Sequence, residues 1–263
     1  MKICFAVLLI LAVLAIVESR WRRHRRHHHS KHHHSKHGSS KQVSTGSQGG
    51  NHDMNNWDFF MLVQQWPLSS CEKENVTHEH TCVIPKYVDG WTLHGLWPST
   101  NVEKNYPTEC TNEKFDPEEV RDLKPRMLKY WPNMFVDSDK NHFWAHEYEK
   151  HGTCAESVPG FKTEHEFFNS ALNLRDEHDI GNILASQEIT PRDQPYEGSD
   201  LNDALNKELG KTGCVQCQKI KDIGYVISAA VVCLSKSKEV IDCPYCEHKC
   251  LDEDKVYYQP IRG

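Results

Sequence analysis

Two short segments of the chain concentrate side chains that handle protons and anions. Trp91-Thr92-Leu93-His94-Gly95-Leu96-Trp97-Pro98 holds one histidine in a stiff aromatic frame. Phe143-Trp144-Ala145-His146-Glu147-Tyr148-Glu149-Lys150-His151-Gly152-Thr153-Cys154 holds two more, with Glu147 and Lys150 between them. Three imidazoles, a carboxylate and an ammonium can move protons and hold an anion without a metal or a serine nucleophile. That set suits a phosphodiester. Cleavage of RNA through its 2′-hydroxyl needs a base for that hydroxyl and an acid for the departing 5′-oxygen, with positive charge on the non-bridging oxygens. Two histidines can divide acid from base, and residue type alone leaves open which takes which part. Lys150 can neutralise the phosphorane, Glu147 can orient or polarise its neighbours, and Trp97 or Trp91 can stack on a base.

Two elements must position these groups. The second segment reads as a helix. His146 and Lys150 lie one turn apart, as do Glu147 and His151, and together they make a polar face of roughly 140°. Trp144 and Tyr148 lie on a neighbouring face. Zinc proteases space their ligands His-Glu-x-x-His, one turn apart. Here the spacing is His-Glu-x-x-x-His. On an ideal helix these imidazoles diverge by about 140°, which argues against a shared ion, so no metal or other cofactor is expected. His94 is expected in a strand running from Trp91 to Trp97.

Other elements follow from pattern. Trp57 to Trp66 alternates, with Trp57, Phe59, Met61 and Val63 on one side and Phe60 and Leu62 on the other. Both faces are apolar, so the strand is central. Asp116-Pro117-Glu118-Glu119 starts a helix that Pro125 must bend or divide. Thr163-x-x-Glu166 is a capping box. Ser199 is expected to cap a helix that Gly210 closes. Tyr225 to Leu234 reads as a buried strand. Strands and helices are interspersed without a regular repeat, which predicts an α+β fold.

The apolar run Ile3–Val17 is too short to span a bilayer and suits a signal-peptide core, with cleavage after Ser19. No transmembrane anchor is expected in the mature chain. Ten cysteines follow Cys4, an even set that reads in an exported chain as a disulfide framework. The rival reading is zinc at Cys214-x-x-Cys217 and Cys243-x-x-Cys246, and export favours disulfides. Asn75-Val76-Thr77 is a glycosylation sequon. Residues 20–41 carry eight Arg and Lys and no acid, and residues 1–19 are neutral. Residues 42–263 therefore hold −14 of charge against a whole-chain −6. So acidic a globule is a poor general sponge for nucleic acid at neutral pH and suits an acidic compartment or a narrow local site. Residues 20–50 read as a disordered His/Arg/Lys-rich tail with a Ser/Gly linker, ahead of a folded domain at 51–263. The tail's histidines can bind transition metals and its charge can bind glycans or other polyanions, or it is simply solvated.

The two histidine segments resemble the active-site segments of the T2 family of secreted endoribonucleases. Both motifs are complete and in order. Weaker similarity covers most of 57 to 260, including Trp66-Pro67 and Val256-Tyr257-Tyr258, and leaves out the tail. The resemblance implies an α+β fold with a central antiparallel sheet, flanking helices and no metal requirement. It implies cleavage of single-stranded RNA through a 2′,3′-cyclic phosphate, best in acid. By the same resemblance His151 is the general base and His94 the general acid. His146 holds the phosphate, Glu147 and Lys150 stabilise the transition state, and Trp97 stacks on a base. It further implies the pairs Cys71–Cys82, Cys110–Cys154 and Cys233–Cys243, with Cys217–Cys250 and Cys214–Cys246 open to exchange of partners. Ser99 departs from the family pattern, standing where many members carry an acidic residue that helps bind a base. The localisation implied is extracellular or a lysosome-like acidic vesicle. Two other functions fit the basic tail on an acidic globule: an extracellular effector acting through its glycan and tail, and a histidine-rich metal carrier.

Overall fold

The computed structural model describes residues 56–78 and 80–262. The expected signal segment (1–19), the tail and linker (20–50) and the first residues of the domain lie outside the described residues. The elements are β1 (Phe59–Gln65), α1 (Pro67–Thr77), β2 (Thr92–Ser99), α2 (Lys124–Tyr130), α3 (His142–Lys150), a 3-10 turn (Gly152–Cys154), α4 (Glu164–Glu177), α5 (Ile180–Ser186), α6 (Gly198–Leu209), β3 (Cys214–Ile220), β4 (Gly224–Leu234), β5 (Val240–Ile241) and β6 (Val256–Tyr257). One sheet runs β2-β1-β4-β3, with β5 and β6 added onto β4. All pairings are antiparallel except β4 with β6. The α+β expectation holds, and that short parallel pair is the one departure from an antiparallel sheet. No helix among the described residues is long and apolar enough to cross a membrane.

β1 is central and two-faced, as its sequence predicts. Phe60 and Leu62 enter the larger core with Phe161, Phe167 and Phe168. Phe59, Met61 and Val63 enter a smaller one on the opposite face, together with Val231 and Cys233. Trp57 is a correction: it precedes the strand and joins the larger core, its ring 4.6 Å from that of Phe60. The helices cover the larger core. The smaller is covered by Ile241, Cys243, Tyr245 and Cys246, part of a cystine-rich strap over residues 243–250.

Two helix starts differ from expectation. Residues from Asp116 to Leu123 form turns with bonds three residues back, such as Leu123 N–H to the Val120 carbonyl at 3.0 Å. The helix begins only at Lys124, with Pro125 in its first turn. Proline fits there because its missing N–H costs nothing where no partner exists. Ser199 lies inside the first turn of α6, whose N-cap is Glu197. A side chain at Gly198 would run into the Cys250 carbonyl, so glycine lets the helix start against the strap. Gly210 closes α6 at φ 62°, and Thr163 Oγ1 accepts from the Glu166 N–H at 3.2 Å, both as expected.

All five expected disulfides form: Cys71–Cys82, Cys110–Cys154, Cys214–Cys246, Cys217–Cys250 and Cys233–Cys243. The zinc alternative is excluded physically. Cys214 packs in the smaller core and Cys217 in the larger, on opposite faces of β3, so a C-x-x-C on this strand cannot grip one ion.

Behind α3 lies an acidic nest. Tyr148 donates to Glu113 Oε2 at 2.7 Å, and Asp116 N–H donates to Glu164 Oε2 at 2.9 Å. Burial, and then Glu113, pushes Glu156 up to about 7. Burial, reinforced by neighbouring acids, pushes Glu164 up to about 7. Folding therefore takes up protons at these sites. Their contribution is fully present below the unfolded value near 4.5 and is lost as pH rises through about 7. Raising pH from 5 to 8 should lower the thermal midpoint of the native chain more than that of a Glu156→Gln/Glu164→Gln double variant. An equal drop in both would show that this nest does not set the pH response.

Candidate active site

The pairing of β1 with β2 skips a residue. Val63 faces Gly95 and Gln64 faces Leu93, which leaves His94 unpaired in a bulge. A bulge re-aims one side chain while the strand continues. Its carbonyl would be stranded, and it accepts the Trp131 indole N–H at 2.8 Å. The Trp131 carbonyl in turn accepts the Trp144 indole N–H at 2.7 Å. Two hydrogen bonds thus tie the His94 backbone to α3. Sequence reading missed Trp131, because nothing local marks a tryptophan whose partner is 37 residues away.

α3 is one residue shorter than the expected polar face. It ends at Lys150, and His151 is its C-cap, with its N–H on the Glu147 carbonyl at 3.2 Å. Gly152 then opens the 3-10 turn, where any side chain would strike the Tyr148 ring. The loop after the first motif is seated on this helix end. Glu109 N–H donates to the Lys150 carbonyl at 2.9 Å, Cys110 N–H donates to Thr153 Oγ1 at 3.1 Å, and Cys110 is bonded to Cys154.

The elements converge on a cavity of about 530 Å³ lined by His94, Trp97, His146, Glu147, Lys150 and His151. All five residues expected to carry chemistry are therefore brought together. The Trp97 ring meets two imidazoles, its centroid 5.1 Å from His94 and 5.3 Å from His151. Its indole N–H donates to Glu147 Oε2 at 2.8 Å. Trp91 is a correction. It is 2% exposed, packs on Trp66 and donates to the Tyr258 hydroxyl at 2.8 Å, so it is core and cannot stack on a substrate in this cavity. Tyr106, Lys104, Tyr245 and Glu247 also line the cavity. They come from a loop and from the strap, and no motif points to them.

Burial dominates the electrostatics. Glu147 is 1% exposed, and burial pushes its carboxyl up to about 8 against the opposing effects of Trp97 and Lys150. It is therefore protonated in acid. His151 is 4% exposed, and burial, then Lys150 and the other imidazoles, pulls it down to about 3. His94 is pulled to about 4 by burial, then by His146 and Lys150. His146 is lowered too, by burial and then Lys150. Burial and the neighbouring cations thus favour neutral imidazoles, and a phosphate anion beside them would favour their protonated forms. The expected divergence of His146 and His151 is also corrected. Because the helix ends at Lys150, His146, Glu147 and His151 each offer a ligand atom, all within 4.8 Å of one another. Their geometry can accept a cation.

Gly95 makes the close approach possible. A Cβ there would lie inside contact distance of both Glu147 Oε2 and Trp97 Nε1. Gly95→Ala should therefore break the Trp97–Glu147 bond and lower activity toward RNA by about 10²-fold, as expected when one preorganised donor is lost. Activity within about twofold of native would mean that this contact positions nothing.

The Ribonuclease T2 family profile matches residues 57–243. Ribonuclease Oy of Magallana gigas is 35% identical over 213 residues, covering 78% of this chain and 98% of that protein. The crystal structure of human RNase T2 aligns with a TM-score of 0.65 at 32% identity, covering 78% of this chain and all of that one. The crystal structure of RNase NT in complex with 5′-AMP aligns with a TM-score of 0.68 at 30% identity, over 79% of this chain and 100% of that one. With its fold, its paired histidine segments and a family profile spanning most of its length, this chain belongs to the ribonuclease T2 family.

Proposed function

We propose that the chain is a secreted endoribonuclease that cleaves single-stranded RNA without a metal, through a 2′,3′-cyclic phosphate. The enzyme class follows from family membership: T2 members are endoribonucleases. The observation that carries the finer reading is the cavity itself, where His94, His146, His151, Lys150 and the buried Glu147 carboxyl together line a space large enough for a nucleotide. RNase NT, a structural neighbour, was crystallised with 5′-AMP.

His151 takes the proton of the 2′-hydroxyl. Its low pKa keeps it neutral, and so able to accept, even in acid. His94, re-aimed by the bulge, protonates the leaving 5′-oxygen. Its pKa of about 4 rises when a phosphate anion sits beside it, which loads it with the proton it must give. His146 and Lys150 hold the non-bridging oxygens. Glu147, neutral below about 8, donates a hydrogen bond to them where a carboxylate would repel them. Trp97 offers its ring to a base. The exposed sequon at Asn75 on α1, whose amide also bonds to the Cys82 backbone, carries a glycan, consistent with export. The tail at 20–41 lies outside the described residues and stays a proposed site for glycans, polyanions or transition metals.

His94→Ala and His151→Ala should each lower kcat/KM by about 10²–10⁴-fold, the usual contribution of a general acid or base. The native kcat/KM profile should be bell-shaped and peak well below pH 6.5, because both free-enzyme imidazoles are depressed. The kcat profile should lie at higher pH, since bound phosphate raises both. A kcat/KM maximum at or above neutrality, or cleavage intact in either variant, would overturn these roles.

A further inference from the structure

The cavity lining draws on chemically different parts of the chain. The imidazoles, Glu147 and Lys150 come from the two histidine segments, and Lys104 comes from the loop after the first of them. Glu247 and Tyr245 come from the strap. The strap is held rigidly. Cys243, Cys246 and Cys250 are bonded to Cys233, Cys214 and Cys217. Cys243 N–H donates to the Thr212 carbonyl at 2.7 Å, and Cys217 N–H donates to the His248 carbonyl at 2.8 Å. The Tyr245 ring meets Phe59 edge-on at 6.2 Å, and its hydroxyl donates to Met61 Sδ at 3.9 Å. The Glu247 carboxylate is half-buried and makes no hydrogen bond or ion pair among the described residues.

An unpaired carboxylate lining a cavity that takes a polyanion would repel phosphate. It favours a group that presents N–H donors. The aromatic walls nearby, Trp97 and Tyr106, accept a planar base. Among the four RNA bases, guanine alone presents two adjacent N–H groups, N1–H and the 2-amino group, which match both oxygens of a carboxylate. Adenine and cytosine pair one amine with a neighbouring acceptor, and uracil flanks its single N–H with two carbonyls. Resting on the ribonuclease reading above, we propose that Glu247 reads the base on the 5′ side of the cleaved bond and selects guanine. The strap, remote in sequence from both histidine segments, is then the specificity element of the site.

The test is cleavage of the dinucleoside monophosphates GpU, ApU, CpU and UpU by native chain, Glu247→Gln and Glu247→Ala. Native chain should prefer GpU by about tenfold or more, the discrimination of a good bidentate pair. Both variants should lose that preference, cleavage of GpU falling toward that of the other three, with an unchanged unfolding midpoint. A native chain without guanine preference, or variants that keep it, would overturn the assignment of Glu247 and leave the ribonuclease reading standing. A uniform loss on all four substrates would also overturn it, by showing Glu247 to be structural. No cleavage of any dinucleotide by native chain would overturn both readings together.

Discussion

The indole N–H of Trp97 donates to a carboxyl of Glu147 that is almost wholly removed from water. This one bond joins the strand that carries His94 to the helix that carries the other polar groups. It requires an approach so close that position 95 can have no side chain. Everything else in the site is arranged around it. The bulge brings His94 against the Trp97 ring, and the early end of α3 brings His151 against it as well. The Trp144–Trp131–His94 hydrogen bonds repeat the same link at the level of the backbone. A lost bond here would leave a buried carboxyl unsatisfied, at a cost of about 1–3 kcal/mol.

Burial at this joint also sets the proton balance. Desolvation disfavours every charge in the cavity, so the carboxyl is driven up and the imidazoles down. The three imidazoles and Glu147 are thereby favoured in their neutral forms. In the proposed mechanism an arriving phosphodiester would shift the imidazoles back toward their protonated forms. The same logic recurs behind α3, where Glu156 and Glu164 also hold protons well above the ordinary carboxylate range. Both features suit a protein that works in acid, which agrees with the −14 carried by residues 42–263.

Much of this was legible in the residue order. His94, His146, Glu147, Lys150 and His151 announce themselves because proton-transfer types are rare at such density, and the two-faced β1 because its alternation is apolar on both sides. What failed did so for identifiable reasons. Trp91 and Trp97 look alike in sequence. The bulge at His94 changes which residues share a face, and it sends Trp91 into the core and Trp97 into the site. The helix expected from Asp116 gives way to turns, because the chain takes Pro125 as a start instead of a kink. The ideal-helix separation of His146 from His151 assumed one more helical residue than exists. The strap could not be read at all: its place over the sheet depends on which cysteines pair, and only family resemblance supplied those pairs.

The most direct measurement is 31P NMR of a dinucleoside monophosphate during cleavage, with EDTA present. Metal-free histidine chemistry requires the 2′,3′-cyclic phosphate resonance to appear first and at full rate, with any 3′-monophosphate growing only from it. Direct appearance of a 5′-monophosphate, or arrest of the reaction by EDTA, would contradict it.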